Sequence, residues 1–159
     1  MTAPLVTPAA PGAAVSDPAP LRERLWLFPK EHAAPLSRNF DAAEFRCRCA
    51  SPACHFTLLH PRLVETLQTL RELVAQPLPV SSGFRCAVHN RAVGGAWRSY
   101  HTRGMAADLL CRGPLTPDEL AAAALRIPAV GGVGTYATRG FVHVDVRPRT
   151  GAAPTRWNG

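Results

Sequence analysis

The seven residues Phe141-Val142-His143-Val144-Asp145-Val146-Arg147 alternate valine with an aromatic or polar side chain. Side chains alternate across a strand, so Val142, Val144 and Val146 share one face, while Phe141, His143, Asp145 and Arg147 share the other. Such a strand belongs to a sheet that buries its valine face and presents a polar surface with a ligand-type histidine on the other. Val130 to Tyr136, followed by a turn at Thr138 to Gly140, supplies a partner and completes a predicted β-hairpin. Taken alone, the pattern also fits a half-exposed strand whose His143 and Asp145 simply pair with each other.

The rest of the chain supplies helices to cover that sheet. Leu63, Leu67, Leu70 and Val74 recur at helical spacing after Pro61, with Glu65, Gln68, Arg71 and Glu72 mostly off that face. Asp41 and Glu44 stand at capping-box spacing and predict a short helix between Phe40 and Phe45. Thr116, Pro117 and the acids Asp118 and Glu119 read as the start of an alanine-rich helix ending near Arg126. Short strands are predicted in PLPVSSGFR and around Asp108 in GMAADLLC, and a functional loop is expected from Cys86 to His101. With 159 residues, 47% of them hydrophobic, the chain can build one core and is short for two. The expected fold class is α+β: a single small domain with helices packed on a mainly antiparallel sheet.

Residues 1–20 are Pro and Ala with almost no charge, a composition expected of a disordered leader. Residues 21–36 are expected as a linker or N-terminal extension, 37–150 as the folded domain and 151–159 as a C-terminal tail. No apolar run approaches the roughly 20 residues of a membrane-spanning helix, and no secretory signal is recognisable at the start. The expectation is a protein made in the cytoplasm that does not insert in a membrane. Eighteen Lys and Arg against 11 Asp and Glu would draw it to polyanions. The arginines do not gather on one helical face, which argues against nucleic acid as the partner.

The segment Ser99-Tyr100-His101-Thr102-Arg103-Gly104-Met105-Ala106-Ala107-Asp108 carries the chemistry. Glycine and small residues between His101 and Asp108 let a tight loop bring both side chains together. A carboxylate at Asp108, among Ala and Leu, needs a cation beside it, either an arginine or a metal. His101, Asp108 and His143 together form a known type of ligand set for a catalytic zinc, with a fourth position left for water.

These motifs resemble the zinc peptidases that include D-Ala-D-Ala carboxypeptidases and murein endopeptidases of bacteria and phages, whose fold is shared by the hedgehog signalling domain. The family pattern S-x-H-x-x-G-x-A-x-D, then a late H-x-[DH] strand, is matched by SYHTRGMAAD and FVHVD. The resemblance runs from about residue 37 to 148, through FDAAEFRC, LVETLQTLREL, SSGFRCAVHNRAVGGA and GGVGTY. It implies one catalytic zinc ion on His101, Asp108 and His143, and matches Arg85 to an arginine that holds substrate oxygens. It further implies hydrolysis of peptidoglycan stem peptides by a small, phage-type, endolysin-like monomer acting at the cell wall or periplasm. A non-catalytic, zinc-containing module that binds the wall is the alternative.

Many relatives carry an acid or histidine shortly before the third ligand as general base, but here Ala137 to Phe141 hold neither. Asp145, ~6.5 Å along the strand from His143, can act as that base or orient a ligand histidine from behind. His89 is a second candidate, and Ser99 and Tyr136 are possible substrate contacts, with Trp97 and Tyr100 near the same cleft. Arg85 has the alternative of a structural ion pair. Cys47, Cys49, Cys54 and Cys86 are compatible with a structural zinc site, one disulfide or free buried thiols.

Overall fold

Helix α1 (Pro61–Val74) forms where the leucine spacing predicts it. Pro61 occupies the first turn, His60 Nδ1 accepts a hydrogen bond from the Arg62 N–H at 3.2 Å, and the helix stops at Ala75 in the left-handed conformation. Its Leu63, Leu67 and Leu70 are fully buried, each contributing roughly 1.5–3 kcal/mol. The computed structural model describes residues 25–159, so the expected leader over 1–20 and residues 21–24 lie outside the described residues.

Strands β1 (Trp26–Pro29) and β2 (Phe56–Leu59) pair antiparallel beside the main sheet. That sheet contains β3 (Val80–Ser82), β4 (Ala106–Leu110), β5 (Gly132–Tyr136), β6 (Phe141–Asp145) and β7 (Thr155–Asn158) in the order β3-β4-β6-β5-β7. All neighbours are antiparallel except β5 and β7. Helix α3 (Pro117–Leu125) starts at the predicted Thr116, which forms a capping box with Glu119, and packs on β5, β6 and α1. The capping box of Asp41 and Glu44 opens a 3-10 turn over Ala42–Phe45. Val142, Val144 and Val146 face the α1/α3 core, as the alternation requires.

Several features differ from the sequence expectation. The stretch from Cys86 to His101 is not all loop: it holds α2 (Ala87–Ala92), and a 3-10 turn follows over Tyr100–Arg103. The second face of β6 is not an open polar surface, because His143 is 9% and Asp145 0% exposed. Residues 25–36 contribute β1 to a sheet, and residues 151–159 contribute β7 to the edge of the main one.

Register places the site. Asp108 on β4 lies directly opposite His143 on β6, His143 is opposite Gly134 on β5, and Gly134 is opposite Trp157 on β7. One cross-strand row thus runs over four strands. Gly134 has no side chain, and a Cβ there would collide with the Trp157 indole, so glycine lets that ring lie over the row toward His143, 5.3 Å between ring centroids. Between His101 and Asp108 the chain reverses at Gly104, whose φ of 65° is left-handed and whose absent Cβ would strike the Leu58 carbonyl. Gly104→Ala is therefore expected to cost about 1–3 kcal/mol. Urea unfolding checks this, and an unchanged midpoint would contradict it.

Candidate metal centre

His101 comes from the 3-10 turn before β4, Asp108 from the middle of β4 and His143 from the middle of β6. The three are 3%, 6% and 9% exposed, so they form the floor of a depression rather than a surface cluster. His101 Nε2 lies 3.1 Å from Asp108 Oδ1 and 3.1 Å from His143 Nδ1, and His143 Nδ1 lies 2.9 Å from Asp108 Oδ1.

The partners of the outer ring nitrogens fix what these inner atoms are. His101 Nδ1 sits 2.7 Å from the Gly83 carbonyl oxygen, which can only accept, so the ring proton resides on Nδ1 and Nε2 keeps its lone pair. His143 Nε2 sits 3.1 Å from Asp145 Oδ2, so its proton points away from the centre as well. In the neutral form of both rings, three acceptors converge with no hydrogen between them. Buried acceptors in such contact demand a cation, and two imidazole nitrogens with one carboxylate oxygen are a donor set suited to zinc. The arrangement can hold a metal ion.

Protonation follows the same geometry. Burial lowers the His101 pKa despite the neighbouring Asp108 and keeps that ring neutral. Burial also opposes charge on His143, but hydrogen bonds and charge from Asp108 and Asp145 outweigh it and raise its pKa. Burial would raise Asp108, yet the two histidines hold its carboxyl well below the usual range. Asp145 also resists the effect of burial, drawn down to about 2 by His143 and Arg147.

Asp145 stands behind His143, not on the wall of the depression. Its Oδ1 accepts from the Arg147 N–H at 3.1 Å and from Arg147 Nε at 2.7 Å; Oδ2 takes Arg147 Nη2 and His143 Nε2. The Arg147 guanidinium lies over Tyr100, 4.4 Å from the ring centroid, and within 5.3 Å of the Trp157 ring. A stack of Tyr100, Arg147 and Trp157 therefore braces Asp145, which braces His143 in turn. Arg85 is anchored at two points: Nε donates to Ser82 Oγ at 2.7 Å, and Nη2 donates to Asp108 Oδ2, the oxygen turned away from the histidines.

The depression opens into a cleft of about 400 Å³ whose walls include Arg85, Arg98, Arg139 and Arg147. Among the described residues, Asp108 is the one carboxylate that lines it. Ser99 lines the cleft and caps the turn that carries His101, accepting from the His101 N–H at 3.3 Å. Tyr136 lines it too, stacked on Phe141 and receiving the Trp157 Nε1–H on its hydroxyl at 3.1 Å. His89 is not brought to the cleft: it lies on α2, where its N–H donates to Cys86 Sγ and where burial, with the charges of Arg85 and Lys30, lowers its pKa. Trp97 is 90% exposed and outside the lining, whereas Tyr100 belongs to it. Sequence reasoning did not single out Arg98, Arg139, Arg147 or Trp157. The alternation placed Arg147 on the His143 face, and only that signal pointed to it.

A family model described as Peptidase M15 matches residues 38–145. The chain is 36% identical over 97 residues to Peptidoglycan L,D-endopeptidase MepK of Escherichia coli (strain K12), an alignment covering 57% of this chain and 52% of that protein. The proteins of the same name from Escherichia coli O157:H7 and Shigella flexneri align with the same identity and coverage. The chain thus spans about half the length of the curated relatives it matches.

Proposed function

Because this chain belongs to the peptidase M15 family, we propose that it hydrolyses peptide bonds in peptidoglycan stem peptides, with His101, Asp108 and His143 holding one zinc ion. The convergence of two imidazole nitrogens and one carboxylate oxygen on one buried point carries this reading. The chemistry zinc supplies when bound is Lewis acidity, which polarises a carbonyl and acidifies water. The residues of the chain do the rest. Gly83 and Asp145 hold the two imidazoles in the tautomers that point lone pairs inward. Arg85, fixed by Ser82 and Asp108, faces the cleft with its remaining N–H groups and stabilises negative charge developing on the substrate oxygen. Arg98 and Arg139 give the walls a positive potential suited to a peptide rich in carboxylates. The similarity to a peptidoglycan L,D-endopeptidase supports cleavage of an internal bond over removal of a terminal D-Ala.

Asp145 is a positioning residue here. Asp145→Ala is expected to weaken zinc binding about 10- to 100-fold, because the outward proton of His143 loses its acceptor. Competition with a chromogenic chelator measures this, and zinc affinity equal to the parent's would return Asp145 to the role of base.

Zinc retention should also fall with acid. The raised pKa of His143 means that a proton replaces the metal at Nδ1. In the metal-free protein this charged His143 adds stability that is fully present below its unfolded pKa, near 6.5, and is lost as pH rises through the raised folded value. Zinc-bound protein has the opposite slope, so the stabilisation conferred by zinc should shrink as pH falls. Thermal melts with and without chelator at several pH values test the sign, and a gap that widens in acid would refute it.

One observation favours a second reading: among the described residues, the cleft wall offers no carboxylate besides Asp108. A wall-binding module that holds zinc without turnover fits that fact. Mass spectrometry of peptides released from purified sacculi, with and without chelator, separates the two. Chelator-sensitive release of muropeptides is expected, and stoichiometric zinc with no bond cut on any wall type would leave the binding module.

A further inference from the structure

Cys86 follows Arg85 in the chain and caps α2, and around its sulfur stand Cys47, Cys49 and Cys54. The four Sγ atoms all lie within 4.8 Å of one another, and Cys49 Sγ is 3.7 Å from Cys86 Sγ. Among the described residues every cysteine is a free thiol. A disulfide would draw two of these sulfurs to ~2.05 Å. Four thiolates held tetrahedrally at ~2.3 Å from zinc stand ~3.8 Å apart. The cluster has the spacing of four ligands around one centre, rather than of one bonded pair with two bystanders.

The surroundings supply what thiolates need. The Cys86 N–H donates to Cys47 Sγ at 3.3 Å and the His89 N–H donates to Cys86 Sγ at 3.4 Å. Lys30, the only lysine of the chain, reaches from the end of β1 to the Cys49 carbonyl at 2.5 Å and stands 3.7 Å from its sulfur. Two backbone donors and one cation are thus aimed at the cluster. Cys47 and Cys54 are 1% and 5% exposed and pack with Phe84 in a small core separate from the main one. Between the 3-10 turn at Phe45 and the start of β2 the chain forms neither helix nor strand, so little regular hydrogen bonding holds that stretch.

We propose that Cys47, Cys49, Cys54 and Cys86 bind a second zinc ion, structural and closed to water by its four sulfur ligands. It ties the loop between residues 46 and 55 to the start of α2 and so fixes the segment that carries Arg85. Ligands from two separate stretches close one long loop, from Cys54 to Cys86, around one point, which is where a cross-link constrains the unfolded chain most.

The test uses the full chain and elemental analysis by mass spectrometry. The parent should carry two zinc ions per chain, and a His101→Ala/His143→Ala variant should keep one. Cobalt(II) loaded into that variant should show the strong near-ultraviolet charge-transfer absorption of thiolate ligation, a band that histidine and carboxylate ligands do not produce. After denaturation in chelator, all five cysteines should react with a thiol reagent. The proposal is overturned if the double variant binds no metal, if its cobalt form lacks the thiolate band, or if fewer than five thiols titrate because a disulfide has formed. A Cys54→Ser variant that fails to fold would change none of these readouts, because they need only the cysteines intact. Loss of metal from the histidine centre alone would leave the thiolate band in place, so the two sites fail independently.

Discussion

His143→Ala is expected to abolish zinc binding at the proposed histidine centre and to lower the proposed peptidase activity by about 10³-fold or more, the result of withdrawing several kcal/mol of charge stabilisation. The size of the effect follows from position. His143 lies in the middle of β6, opposite Asp108, and is the residue through which Asp145 and Arg147 act on the centre. Its removal leaves Asp108 Oδ1 facing His101 alone and leaves buried Asp145 with Arg147 as its remaining ionic partner. The fold should survive, because the valine face of the same strand still carries the core contacts. Zinc content, circular dichroism and muropeptide release measured on one preparation check all three points. Activity that persists without zinc would remove the metal from the mechanism.

Arg85→Gln should cost about 10²- to 10³-fold in kcat, the usual consequence of deleting a donor to the developing oxyanion. Two roles are intertwined at this residue, since its guanidinium both faces the cleft and holds Asp108 Oδ2. They can be told apart by supplying saturating zinc. If the cleft-facing role dominates, the variant is fully loaded with zinc and still slow. If activity returns in proportion to zinc, Arg85 serves only to position Asp108. Arg85→Lys keeps a charge but loses the planar fork that spans Ser82 and Asp108, and should recover little of the rate.

Where the sequence spoke clearly, short-range physics decided the structure. Capping residues Asp41 and Thr116 stand directly at helix or turn starts, and the alternation of β6 fixes which face meets the core. The convergence of His101, Asp108 and His143 was legible because a short loop and one strand pair bring them together, with Asp108 and His143 in direct register. The remainder depends on contacts between distant segments. The β7 sequence Thr-Arg-Trp-Asn shows no apolar alternation, and only its pairing with β5 sets Trp157 over Gly134. Helix α2, six residues with no apolar stripe, is held by the Cys86 cap and its neighbours rather than by its own periodicity. The burial of Asp145 was likewise invisible along the chain, because it depends on Arg147 being trapped between Tyr100 and Trp157.

The parallel edge strand β7 has a practical consequence. Gly159 donates its N–H to the Thr135 carbonyl at 3.0 Å and lies against the Tyr136 ring, so polypeptide attached there emerges at the rim of the cleft. A purification tag placed after Gly159 would compete for space with a cross-linked wall polymer, whereas a small fluorophore at the same point would be well sited to signal when the cleft fills.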